Sequence, residues 1–128
     1  MLLPLLPLIL TILLVILALA ISLYFRVESV DAETAFEMVR DGAVLVDVRT
    51  PKEYEEWHPG EAVNINLFSK DFSRRIEELD RNAEYVVYCR TGHRSAIAVR
   101  KMRKMGLKAY NLKGGVRRMG VFVTRKRY

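Results

Sequence analysis

The stretch Cys89-Arg90-Thr91-Gly92-His93-Arg94-Ser95 gathers, within seven residues, the groups that turn a thiol into a nucleophile. A thiolate attacks where a thiol does not, and nearby cations, backbone N–H groups and a helix N-terminus all favour the ionised form. Arg90 and Arg94 supply the cations, and a tight loop through Gly92 offers N–H donors. A cysteine in a small domain is by itself an ordinary buried hydrophobe. One placed between a strand end and a loop with two arginines, a histidine and a glycine has the surroundings of a reactive thiol. A preformed thiolate needs no general base.

Such a thiol must be delivered by a rigid element. Glu84-Tyr85-Val86-Val87-Tyr88 reads as a buried strand that ends at Cys89, and a helix is expected from about Ser95 to Met105, with Lys and Arg in its last turns and Gly106 beyond. The loop N–H groups and the start of that helix then converge on the sulfur as an anion site without a metal. Val44 to Val48 reads as another buried strand, Ala62 to Ile65 as a short one, and Lys108 to Leu112 as the last, before Gly114-Gly115. Ser29-Val30-Asp31-Ala32-Glu33 supplies caps and early acids for a helix to about Asp41, and Thr50-Pro51-Lys52-Glu53 is a capping box opening a helix through Trp57. Ser69 to Leu79 carries a helical stripe of Phe72, Ile76 and Leu79. Strands alternating with helices predict an α/β fold: an open, mostly parallel sheet with helices on both faces and its site at the strand ends.

Residues 1–25 are of another kind. They hold no Asp, Glu, Lys or Arg, so the net charge of +6 belongs entirely to residues 26–128. Leu2 to Phe25 is an apolar run of about 24 residues, enough to span a hydrocarbon core of about 30 Å, with Pro4 and Pro7 in the first turns and Tyr24 and Phe25 at an expected interface. Two readings stay open: an uncleaved single-pass transmembrane anchor, or a cleaved signal sequence ending at Ala18-Leu19-Ala20. Length, and the lack of a preceding cation, favour the anchor. The nearest basic residues, Arg26 and Arg40, lie on the C-terminal side and place the domain of residues 26–128 on the cytoplasmic face of the cell membrane. The single cysteine excludes an internal disulfide.

Asp47-Val48-Arg49, Glu53-Tyr54, His58-Pro59-Gly60, the Cys89 to Ser95 loop and Leu112-Lys113-Gly114-Gly115 together resemble, in order, the signature of the rhodanese family of sulfurtransferases. The resemblance covers nearly all of residues 29–120 and implies a single small domain with a central five-stranded parallel sheet. It implies that Cys89 takes a sulfane sulfur from a small anionic donor such as thiosulfate, holds it as a persulfide, and passes it to cyanide, a thiol or a protein acceptor. Six residues run from Cys89 to Arg94, the loop length of the sulfur-handling members; the related phosphatases carry one more.

On this reading Cys89 and Arg94 are the catalytic candidates, Arg94 steadying loop and anion. Arg90, Thr91, Gly92, His93 and Ser95 form the substrate-binding loop. Asp47, Arg49, Glu53 and His58 are structural supports, with an ion pair expected between Arg49 and Glu53 and a hydrogen-bonded turn at His58. The two histidines and one cysteine have no metal-ligand spacing, and no cofactor is called for. The basic residues show no aromatic interleaving or nucleic-acid reader motif, so nucleic acid is not an expected partner; Arg100, Lys101, Arg103 and Lys104 read as a solvated helix face. The chain departs from the family pattern at Trp57-His58-Pro59-Gly60, one residue short, and at Val116-Arg117-Arg118-Met119, where an aromatic is common after Gly114-Gly115; both bear on donor preference. Other readings are a persulfide relay at the membrane, a non-catalytic binding module, and, less favoured, a cysteine phosphatase or arsenate reductase.

Overall fold

The computed structural model describes residues 2–24 and 26–118; Phe25, Met119 and the basic tail Arg125 to Tyr128, expected to be a solvated end, lie outside them. The elements run α1 (Leu6–Tyr24), β1 (Ser29–Val30), α2 (Ala32–Arg40), β2 (Val44–Asp47), α3 (Pro51–Glu56), β3 (Val63–Asn64), α4 (Phe72–Glu77), β4 (Glu84–Tyr88), α5 (His93–Lys104) and β5 (Lys108–Leu112). The five strands form one sheet in the order β1-β5-β4-β2-β3, and every pairing is parallel.

The alternation of β4 divides the core. Tyr85 and Val87 face α4 and α5, where Phe72, Ile76, Ala98, Val99 and Met102 close over them. Val86 and Tyr88 face the other way, toward Ala32 and Ala35 of α2 and Tyr54 of α3. Both faces of the sheet are thus covered, as parallel pairing requires.

Element boundaries that differ from expectation include α4, which starts at Phe72 and not Ser69, and two others that bear on the sheet edge and the site. Ser29 and Val30 are an edge strand instead of helix caps, registered on Asn111 and Leu112. The Asn111 N–H donates to Glu28 O at 2.8 Å and the Lys113 N–H to Val30 O at 2.9 Å. Asp31 alone caps α2, accepting from the Thr34 N–H at 2.7 Å. A two-residue strand has no periodicity of its own to read; it exists because β5 offers an open edge. The second difference is at α5, which begins at His93, two residues before the expected Ser95.

α1 is 19 residues, about 28 Å at 1.5 Å per residue, and none of its residues is buried. It is long and apolar enough to cross a membrane, a property that a signal sequence shares.

Candidate active site

Cys89 follows the last residue of β4, the central strand, so the period of two that turns Tyr85 and Val87 toward α5 turns its sulfur the same way. The chain then has only Arg90, Thr91 and Gly92 in which to reverse into α5. Gly92 makes this possible with φ 100° at the N-cap. A Cβ there would meet nothing closer than 3.5 Å, so conformation and not space calls for glycine.

The sulfur is enclosed: Cys89 is 1% exposed. The Gly92 N–H donates to Sγ at 3.1 Å, and the Ser95 hydroxyl lies 3.4 Å away. Burial pushes the thiol pKa up, but the Ser95 hydroxyl and the N–H groups of Ser95, Thr91 and Gly92 outweigh it and bring the pKa below that of a free cysteine. The donors that favour the thiolate therefore belong to the loop and the first turn of α5.

Arg94 reaches away from that ring to Glu53. Its Nη1 donates to Oε2 at 2.9 Å and its Nη2 to Oε1 at 3.3 Å. The expected pair between Arg49 and Glu53 is replaced by this one, because Arg49 turns inward. Its Nη2 donates to Asp47 Oδ2 at 2.7 Å and to Trp57 O at 2.7 Å. Asp47 is fully buried and also accepts from Tyr88 Oη at 2.7 Å and from the Arg49 N–H at 2.9 Å. Burial, then the hydrogen bond and charge of Asp47, drives the Tyr88 pKa far up, so the phenol stays a donor. This network ties β2, β4 and the end of α3 together beneath the site. His58 stacks on Tyr54 at 3.7 Å between ring centroids, and its Nδ1 lies 2.8 Å from Tyr54 O, which makes it a turn residue.

Arg90, Thr91 and His93 are exposed around the mouth of the loop. Among the described residues no cluster of three His, Cys, Asp or Glu side chains could hold a metal. Sequence reasoning missed two residues that touch the loop. Asn111, on β5, accepts from the Ser95 hydroxyl at 2.6 Å and donates to Gly92 O at 3.2 Å. Gly115, at φ 67°, lies under the loop so closely that a Cβ would stand 2.4 Å from Arg90 O and 2.7 Å from Cys89 O. Nothing local marks Asn111, whereas Gly114-Gly115 was visible as a turn without its duty being legible.

The parallel α/β sheet carries a cysteine into a ring of N–H donors at the start of a helix, an arrangement able to hold an anionic sulfur. The chain belongs to the rhodanese-like domain family, which matches residues 31–119. It is 37% identical over 73 residues to a tRNA sulfurtransferase of Pyrobaculum aerophilum, covering 57% of this chain but only 15% of that protein. It is 29% identical over 93 residues to a sulfurtransferase of Allochromatium vinosum, covering 70% of this chain and 85% of the relative. Among solved structures it is similar to a rhodanese-related protein of Thermoplasma volcanium, with a TM-score of 0.67 and 26% identity over 74% of this chain and 92% of that one. Sulfur transfer is the general chemistry of this family member.

Proposed function

We propose that this chain is a membrane-anchored sulfurtransferase in which Cys89 carries the sulfur as a persulfide. One observation carries the reading: the Cys89 sulfur is enclosed by N–H donors and the Ser95 hydroxyl, with the Gly92 N–H at 3.1 Å. With thiosulfate, the thiolate attacks the outer sulfur, a Cys–S–S⁻ bond forms, the S–S bond of the donor breaks, and sulfite leaves with its electron pair. A cyanide or thiolate acceptor then attacks the outer sulfur of the persulfide and restores the Cys89 thiolate. The loop donors hold the anionic sulfur through both steps. Arg90 at the mouth draws the anion in, and Arg94 braces the loop through Glu53.

The polarity of the sheet supports a soluble acceptor. The apolar helix α1 leads into β1 at the N-terminal edge of the sheet, while Cys89 follows β4 at the opposite, C-terminal edge. Residues 1–25 then act as the anchor, and the domain of residues 26–128 stands on the cytoplasmic face with its reactive loop turned from the bilayer. Between Tyr24 and α5 a cavity of about 280 Å³ is lined by Arg26, Arg100, Arg103 and Lys104 together with Glu28, a net positive lining that suits an anionic membrane surface.

The test is the intact mass of the full chain in detergent before and after thiosulfate. One added sulfur, about 32 Da, removed by cyanide with release of thiocyanate and absent in Cys89→Ser, is the expected result. A chain that gains no sulfur from thiosulfate, persulfidated glutathione or a mercaptopyruvate-type donor is a binding module instead.

A further inference from the structure

Ser95 is fully buried, and its hydroxyl has one proton to give. Two acceptors face that oxygen: Cys89 Sγ at 3.4 Å and Asn111 Oδ1 at 2.6 Å. The orientation of the amide is fixed, because Asn111 Nδ2 donates to Gly92 O at 3.2 Å. Turning it over would set carbonyl against carbonyl at Gly92. Asn111 is itself buried, so no bulk solvent is at hand to settle the competition.

We propose that Asn111 is a positioning residue that competes with the Cys89 sulfur for the single proton of Ser95. When the sulfur is a thiol, all donors are used: S–H donates to Ser95 Oγ, and Ser95 O–H donates to Asn111 Oδ1. When the sulfur is a thiolate, the Ser95 proton must turn to it and leave Asn111 Oδ1 against a bare oxygen, or stay and show the thiolate a lone pair. Either arrangement loses one hydrogen bond in a dry site. Asn111 therefore opposes the loop N–H groups and holds the thiol less acidic than the ring of donors alone would make it. No bond is made or broken in this exchange; one O–H rotates. As charge moves to the outer sulfur of a persulfide, the rotor turns back toward Asn111, and it returns to the inner sulfur as that atom becomes the leaving thiolate. This role rests on Cys89 being the reactive thiol, but its test requires no sulfur donor and stands apart from the transfer reading.

The experiment is a double-mutant cycle on the full chain in detergent, reading the pH dependence of Cys89 alkylation by iodoacetamide from intact mass. Asn111→Leu removes the acceptor at nearly constant volume. It should lower the apparent pKa and speed alkylation several-fold at a pH below it, while Ser95→Ala should raise the pKa. In the Ser95→Ala background Asn111→Leu should change nothing, because the proton contested is gone. A shift of equal size in both backgrounds, an upward shift, or none overturns the proposal, since a residue that merely shapes the loop would act without regard to Ser95. Should Asn111→Leu fail to fold, as judged by circular dichroism, Asn111→Ala completes the same cycle with the same decision.

Discussion

Glu53 serves two elements at once: Oε2 accepts from the Thr50 N–H at 3.2 Å, closing the capping box of α3, and from Arg94 Nη1 at 2.9 Å in the first turn of α5. The helix that follows β2 is thereby fastened to the helix that follows the reactive cysteine. Arg94, whose type and spacing suggested an anion ligand, is committed to a carboxylate.

Arg94→Ala should slow single-turnover sulfur loading by on the order of a hundredfold, the cost of a loop misplaced by a fraction of its normal precision. Glu53→Gln should reproduce part of that loss, and the double variant should be no slower than Arg94→Ala alone. Additive losses in rapid-quench measurements would mean that each residue acts separately.

The same pair gives a dependence on acid. Arg94 holds the Glu53 carboxyl below its ordinary value of 4.5. A carboxyl depressed in the folded state adds stability above its unfolded pKa and loses it as pH falls through the folded one. Because both side chains are partly solvated, the contribution is about 1 kcal/mol. Thermal melts of wild type and Glu53→Gln should differ at neutral pH, and the difference should begin to shrink as pH falls below the ordinary carboxyl value and vanish once Glu53 is protonated in the folded state.

Much of this arrangement is legible from residue types. The apolar run Tyr85 to Tyr88 and the box Thr50-Pro51-Lys52-Glu53 fix β4 and the start of α3, because each carries its own local signal. β1 is invisible for lack of length, and the early start of α5 follows from the φ of 100° at Gly92, which lets the helix begin before any capping side chain. The Arg49 partner is misjudged because sequence spacing favours a residue four places on, while burial favours Asp47, two places back on the strand. Asn111 escapes altogether: its relation to Ser95 spans sixteen residues and arises only from the neighbouring places of β4 and β5 in the sheet.

The Cys89 thiol lies below the ordinary cysteine value because loop donors outweigh burial. Its alkylation should therefore reach half its maximal rate below about pH 8.5. The linkage has the same sign as for a carboxyl: the thiolate adds stability as pH rises above the folded pKa, and loses it on the way down. Replacing Ser95 with alanine should move the half-point up, and a wild-type half-point at or above about 8.5 would remove the preformed thiolate from the mechanism.

The anchor makes a prediction that depends on apolar area alone. α1 carries no charge and buries none of its side chains in the protein, so its transfer to a bilayer is not screened by salt. The full chain should remain with the membrane after high-salt and alkaline washing; a soluble product beginning at Ile21 would establish a cleaved signal in place of the anchor.

Gly115 bears no side chain, yet it packs against the backbone of the reactive loop. Its φ of 67° and the 2.4 Å approach a Cβ would make to Arg90 O leave alanine no accommodation, since the obstacle is backbone. The Val116 N–H donates to Cys89 O at 2.9 Å, so the turn that would be displaced is the one that holds the carbonyl of the cysteine. Gly115→Ala should cost more than about 1 kcal/mol of stability. Its effect on transfer should be larger than that on stability, because the strain falls on the loop whose N–H groups must converge to within hydrogen-bond distance of one atom. At a temperature where the variant is fully folded by circular dichroism, sulfur loading should fall by tenfold or more, with the Cys89 pKa moved up toward its free value as the ring of donors opens. Gly114→Ala is the control: the three atoms nearest its Cβ all belong to the flexible Arg118 side chain, from 2.9 Å, so with a comparable backbone conformation it should weaken folding while leaving the thiol more nearly as it was.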